Sequence, residues 1–191
     1  MRWYAEGDDI FFYLEFSSLV VPIDILLSTD DNDLTGHTSY LWSGNTAFDY
    51  LIEEENIANH FSDASFTAFN NTVDQINWSW LETDVVNFIT ACNTATLTNG
   101  HKAIEGKITA SKIPTPIVKL KVGVFTSNSG WTENGVLPDD ALLEVPFYQE
   151  PTGMDQLTIE DERSTEKILI DGQLYIRHGN TIYTITGQEI R

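Results

Sequence analysis

Cysteine is nearly missing from this chain. Cys92 is the single one in 191 residues, which excludes an internal disulfide and any C-x-x-C metal set. Standing alone, it reads as a small buried hydrophobe. Disulfide-free chains are usual in the cytosol, yet secreted domains of this size also fold without them, so the redox compartment stays open. Basic residues are scarce as well: 10 Lys and Arg stand against 29 Asp and Glu, a formal net charge of −19. Such a field repels phosphate backbones and anionic lipid. It argues against nucleic acid as a partner and leaves cations and neutral ligands. No apolar run approaches the roughly 20 residues a spanning helix requires, so membrane insertion is not expected.

Catalytic signatures are also lacking. There is no G-x-S-x-G, no H-E-x-x-H and no phosphate-cradling glycine loop. Carboxylate pairs of the glycosidase kind can be drawn among 29 acids in many ways and carry no information. A haem would need an axial His or Met. His37, His60, His101 and His178 scatter over loop-like segments and read as surface residues, while Met154 falls in a polar connecting stretch. The chain is therefore read as non-catalytic.

What is present is strand chemistry. The chain is 41% hydrophobic and 12% aromatic, enough for one domain with a core. Residues 2–5 and 10–16 flank Glu6-Gly7-Asp8-Asp9, a hairpin signal. In the second run Ile10, Phe12, Leu14 and Phe16 share one face. VVPIDILLS at 20–28 is a further strand, its apolar run interrupted by Asp24. TSYLWSG (38–44) and AFDYLIEEE (47–55) read as a strand pair, and 61–70, 75–82, 101–114, 119–128 and 141–148 as strands. Val85, Val86, Phe88 and Ile89 give Asp84 to Ala91 the spacing of a short helix, and 127–140 reads as a loop. At least eight strands predict an all-β fold, a two-sheet antiparallel β-sandwich of jelly-roll type over residues 1–148. Residues 149–166 read as a linker, and 167–191 as a small C-terminal β-meander that is too short to bury a core unaided. Met1-Arg2 runs straight into a strand, so a leader or an earlier strand is expected upstream.

Two constellations bear on ligands. STDDNDLTG places Asp30, Asp31, Asn32 and Asp33 together just after a strand. Calcium takes six to eight oxygens at about 2.3–2.6 Å, and Asp30, Asn32 or Asp33 could close such a shell with Asp49 or Glu53 if the neighbouring strands pair. The other reading is a solvated Asx-rich turn. The second constellation is the five tryptophans, because sugar rings stack their C–H faces on flat aromatic surfaces. Trp3, Trp78 and Trp80 read as core. Trp42 and Trp131 sit in or beside loops and are the stacking candidates, though each reads equally as packing.

The order FFYLEF, VPIDILLSTDDNDLTGHTSYLWSG, FDYLIEE, HKAIEGKITASKIP and VGVFTSNSGWTENGVLP resembles CBM9-like, DOMON-related domains over roughly residues 2–148. The resemblance implies a sandwich that binds carbohydrate in some members, and haem or no known ligand in others. The tail, with Lys167, Gly172, Leu174, Tyr175, Ile176, Arg177, Gly179, Tyr183 and Gly187, resembles the sorting segments of the type IX secretion route in Bacteroidetes, apart from Ile190 at a usual Val position. That implies contact with secretion machinery and a secreted or cell-surface location. The resulting expectation is a non-catalytic module binding a neutral glycan. The competing expectation is a structural or adhesion module presenting a protein-interaction surface, favoured if both loop tryptophans are buried under a flat polar face.

Overall fold

The computed structural model describes residues 1–17, 22–44, 46–54, 64–128, 132–146, 165–170, 173–178, 181–184 and 189–190. The strands are β1 (Arg2–Glu6), β2 (Asp9–Phe16), β3 (Ile23–Ser28), β4 (His37–Thr38), β5 (Ala47–Phe48), β6 (Tyr50–Glu54), β7 (Ser65–Phe69), β8 (Trp80–Glu82), β9 (Ile89–Thr96), β10 (Lys102–Thr109), β11 (Leu120–Ser127), β12 (Glu133–Leu137) and β13 (Leu143–Val145) in a unit spanning Met1–Glu150. A second unit, Pro151–Arg191, holds β14 (Thr165–Ile170), β15 (Gln173–His178), β16 (Thr181–Thr184) and β17 (Glu189–Ile190).

The first unit is an antiparallel β-sandwich. One sheet runs β1-β2-β10-β9, and the other runs β12-β11-β3-β6-β7-β8 with β13 also on β11. Period-two alternation sends Ile10, Phe12 and Leu14 of β2, with Ile104 and Ile108 of β10, to one side. There they meet Ile23, Ile25 and Leu27 of β3, Ile52 of β6, and Leu120, Val122 and Val124 of β11. Full burial of each such side chain stabilises by about 1.5–3 kcal/mol. β3 is buried along its whole length, because the outer face of its sheet is covered too. Leu26 and Leu51 lie there under Phe48 and Trp42, so IDILLS is a near-continuous apolar run broken only by Asp24 and Ser28.

Several expected elements come out differently. Of the 38–44 region only Thr38 joins a strand, with His37 before it; Ser39 to Gly44 turn instead, forming the cover over that outer face. No helix occurs at 84–91. Asn87 has a positive φ of 54°, and from Ile89 the chain pairs with β10, because so short a helix is marginal alone while a free sheet edge offers a full ladder. Residues 133–137, read as loop, form β12 on β11. In the second unit β14 to β17 form a four-stranded meander in sequence order. Among the described residues no helix is long and apolar enough to cross a membrane.

Candidate functional site

β3 ends at Ser28 and delivers Thr29 into the aspartate loop, where the acidic groups are largely occupied from within. Asp30 accepts the Asn32 amide at 2.9 Å and the Thr35 hydroxyl at 2.9 Å. Asn32 Oδ1 accepts the Leu34 amide at 3.1 Å, an Asx turn. Asp49 Oδ2 accepts Thr29 N–H at 2.6 Å, the Thr29 hydroxyl at 2.8 Å and Asp30 N–H at 3.3 Å. Burial pushes the Asp49 carboxyl above the ordinary carboxylate range, with the Thr29 bonds pulling the other way. Asp31 takes a positive φ of 56° and faces Lys119 at 3.3 Å and Lys121 at 3.4 Å. The hydrogen bond from Lys119 and the neighbouring charges hold its carboxyl below the usual range. Two lysines thus supply positive charge to this loop.

Of the five proposed calcium ligands, Asp30, Asn32 and Asp49 are linked by hydrogen bonds to the loop backbone, whereas Glu53 is set apart. β3 and β6 do pair, but the register sets Glu53 opposite Asp24 and Tyr50 opposite Leu27. Glu53 therefore stands four residues along the chain from Asp49, about 13 Å at roughly 3.3 Å per residue. Asp33 contributes its carbonyl, which accepts Gln75 Nε2 at 3.1 Å. Among the described residues no three His, Cys, Asp or Glu side chains gather as a metal site.

The tryptophans also redistribute. Trp42 is 6% exposed. Its indole N–H donates to the Pro138 carbonyl at 2.9 Å, its ring meets Phe48 edge-on at 5.5 Å between centroids, and it lies so close over Gly123 that a Cβ there would come within 2.6 Å. It has no open face on which a sugar could stack. Trp131 lies outside the described residues. Trp3 packs against the main core. Trp78, read as core, is instead 50% exposed, with its edge or face turned to His37, Trp80 and Phe125 at 5.1, 5.4 and 5.9 Å.

These rings border a pocket of about 620 Å³ on the outer face of the larger sheet. Tyr40, Leu41, Ile76, Trp78 and Phe125 form its walls, and Glu133 of β12 stands at the edge. Asp24, Ser127 and His37 are its buried polar lining, at 0%, 1% and 6% exposure. The register explains the gathering: Asp24 pairs with Phe125 across β3 and β11, two residues before Ser127 on the same face. His37 arrives on β4, anchored where Thr38 N–H donates to the Gln75 carbonyl at 2.9 Å and Gln75 Nε2 donates back to the Gly36 carbonyl at 3.1 Å. Gly36 is required there, since its φ is +88° and a Cβ would strike the Phe48 carbonyl oxygen at 2.5 Å.

His37, read as a surface residue, is instead buried among Phe69, Trp78 and Trp80. Burial lowers its pKa, opposed by hydrogen bonds to the backbone of Asn77 and Gln75, so the ring is neutral at neutral pH. His37 Nδ1 and Ser127 Oγ have no hydrogen-bond partner within the protein. They do not bond each other, so this is not a nucleophile and base pair as it stands.

A groove of similar volume, about 620 Å³, crosses the exposed face of the smaller sheet beside Tyr4, Phe11 and Tyr13. Its two basic groups are engaged: Arg2 lies 5.8 Å from the Tyr13 ring centroid, and Lys107 pairs with Asp9 at 3.1 Å. Cys92 beneath it has its thiol pushed up to about 11 by burial, which keeps it protonated and unreactive. The pocket in which His37 Nδ1 and Ser127 Oγ lack partners is the better site. No family model matches the chain, and no curated protein or solved structure matches it.

Proposed function

We propose that this protein is a non-catalytic carbohydrate-binding module that holds a glycan in the pocket between Trp78, Tyr40, Phe125 and the Asp24–His37–Ser127 lining. The observation that carries the reading is the combination of aromatic walls with two buried polar atoms, His37 Nδ1 and Ser127 Oγ, that lack partners in the protein. A polyhydroxylated ring meets both demands: its C–H faces cover the aromatics, and its hydroxyls satisfy the buried nitrogen and oxygen atoms. Trp78 thereby takes the stacking role first given to Trp42. Secretion to the cell surface through the C-terminal segment belongs to the same reading and rests on the resemblance of the tail. Calcium in the aspartate loop ranks behind, because Asp30 and Asp49 would have to release Thr35 and Thr29.

The second reading, an adhesion module presenting a protein-interaction surface, is favoured by one observation, the burial of Trp42. A thermal melt over a panel of soluble neutral glycans separates the two. Ligand at a hundred times its Kd stabilises by about 2.7 kcal/mol, which for a domain of this size raises Tm by roughly 5–10 °C. That shift, lost in Trp78→Ala, is the expected result. A panel with no shift would move the assignment to the adhesion module.

A further inference from the structure

We infer that β9 pairs with the same strand of a second copy of this chain, joining two smaller sheets edge to edge about a two-fold axis. This goes beyond the glycan reading and does not depend on it.

Among the described residues β9 is an edge strand, with β10 as its one neighbour. Leu97 N–H donates to the His101 carbonyl at 2.8 Å, one position beyond the register that sets Thr96 opposite Lys102. Hydrogen-bonded and non-hydrogen-bonded pairs alternate along an antiparallel ladder. Ala95, Asn93 and Ala91 therefore turn their backbone groups to β10, and Thr96, Thr94 and Cys92 turn theirs to the open side. The Thr94 amide accordingly takes the side-chain oxygen of Asn93 at 2.9 Å, a local bond in place of a ladder bond.

An open row of N–H and C=O groups is matched along its length by another extended backbone, and natural edges guard against this with charge. The other edge strands described in the two main sheets each carry an acid: Glu6 on β1, Glu82 on β8, Glu133 on β12 and Glu144 on β13. β9 reads ITACNTAT, with no charged residue, no proline and no glycine. In a chain of net charge −19, such an edge lets two copies meet without direct repulsion between facing side chains.

The sequence of the strand says what fits it. Outward from Asn93 the residues match in pairs: Cys92 with Thr94, Ala91 with Ala95, Thr90 with Thr96. Antiparallel pairing centred on Asn93 sets every side chain against one of similar size, Thr opposite Thr and Ala opposite Ala. The backbone agrees with this centre. Cys92 and the partner's Thr94, both with outward groups, form a hydrogen-bonded pair, and Asn93 falls on a non-hydrogen-bonded one. A centre at Cys92 or Thr94 would set Ala against Asn, and a one-residue slip would put opposite faces together. The arrangement is isologous and closes as a dimer.

The test is sedimentation velocity of the full chain over roughly 1–200 µM, the range suited to a small interface, at low and at high salt. A dimer should grow with concentration, and high salt should tighten it several-fold by screening the repulsion between two acidic copies. Asn93→Lys sets two lysines face to face across the axis and should weaken the dimer at least tenfold with the melting temperature unchanged. Cysteine cross-linking in a Cys92→Ala background reads the register. Asn93→Cys should form a disulfide-linked dimer on oxidation, because Cα atoms of a non-hydrogen-bonded pair lie about 4.5 Å apart. Ala91→Cys should not, since its counterpart lies four residues along the partner strand, about 13 Å away. A monomer at every concentration would overturn the inference. A dimer that Asn93→Lys leaves intact, or equal cross-linking of the two cysteine variants, would overturn it too, by placing the contact elsewhere.

Discussion

The aspartate loop and the outer-face pocket are two places among the described residues where this acidic chain gathers polar groups, and they differ in where those groups are spent. In the loop, Asp30 and Asp49 receive the Thr35, Thr29 and Asn32 donors, and Asp31 meets two lysines. In the pocket, Ser127 Oγ and His37 Nδ1 are buried without partners beside three aromatic rings. Clustering along the sequence is therefore a poor guide to binding. What separates a site from a well-made turn is whether its hydrogen-bonding capacity is left over after folding, since a buried polar atom without a partner costs about 1–3 kcal/mol until something satisfies it.

The sharpest way to separate structural from ligand-facing groups is through the tryptophans. Trp42→Ala removes a buried ring and a buried hydrogen bond, so it should cost about 3–5 kcal/mol of stability. Trp78→Ala removes a half-exposed ring and should cost about 1 kcal/mol. Denaturant unfolding of both variants gives the two values. A Trp78 loss as large as that of Trp42 would mean the pocket wall is core after all, and the contrast with the loop would dissolve.

The sheets were legible because their central strands obey simple periods. β2 alternates as Ile10, Phe12 and Leu14 against Phe11, Tyr13 and Glu15. β3 reads as an unbroken apolar run because both its faces are covered. β9 and β12 were not legible, since their half-exposed, polar residues show no alternation and only the free edges of β10 and β11 make them strands. Ser39-Tyr40-Leu41-Trp42 has β-prone composition, yet it turns because it must lay Trp42 over Gly123. The pocket left one trace in sequence, the lone charge of Asp24 in an apolar run. His37, Trp78 and Ser127 meet it only through pairing between residues far apart in the chain, which no local pattern encodes.

A smaller effect tests the loop from the inside. Asp49→Ala removes the acceptor for Thr29 and should cost about 1–3 kcal/mol at neutral pH. The sign of its pH dependence is distinctive. Burial raises the folded-state pKa of Asp49 above 3.8, so the folded chain binds this proton more tightly than the unfolded chain. The contribution of Asp49 is then fully present below 3.8 and diminishes as pH rises through the raised value. The penalty of Asp49→Ala should consequently grow as pH falls from neutral. Asp31, held below its ordinary 3.8 by Lys119 and Lys121, behaves oppositely: its contribution holds above 3.8 and is lost on further acidification. Urea unfolding at a series of pH values should show the two trends in Asp49→Ala and Asp31→Ala; parallel trends would mean the loop's carboxylates share one environment.

The smallest expected effect comes from calcium. An ion that entered the loop would need Asp30 and Asp49 to exchange the Thr35 and Thr29 bonds for coordination, with Glu53 held away by the β3–β6 register. Because stabilisation by a ligand grows as RT ln(1 + [L]/Kd), a site with Kd above the millimolar range adds less than about 0.4 kcal/mol in millimolar calcium. Melting of EDTA-treated protein with and without millimolar calcium should therefore differ by less than about 2 °C. A larger shift that disappears in Asp30→Ala would show that the loop's internal bonds yield to an ion. The distinction between a filled turn and an open pocket would then have to be drawn from affinity, since hydrogen-bond occupancy alone would have failed to predict which of the two binds.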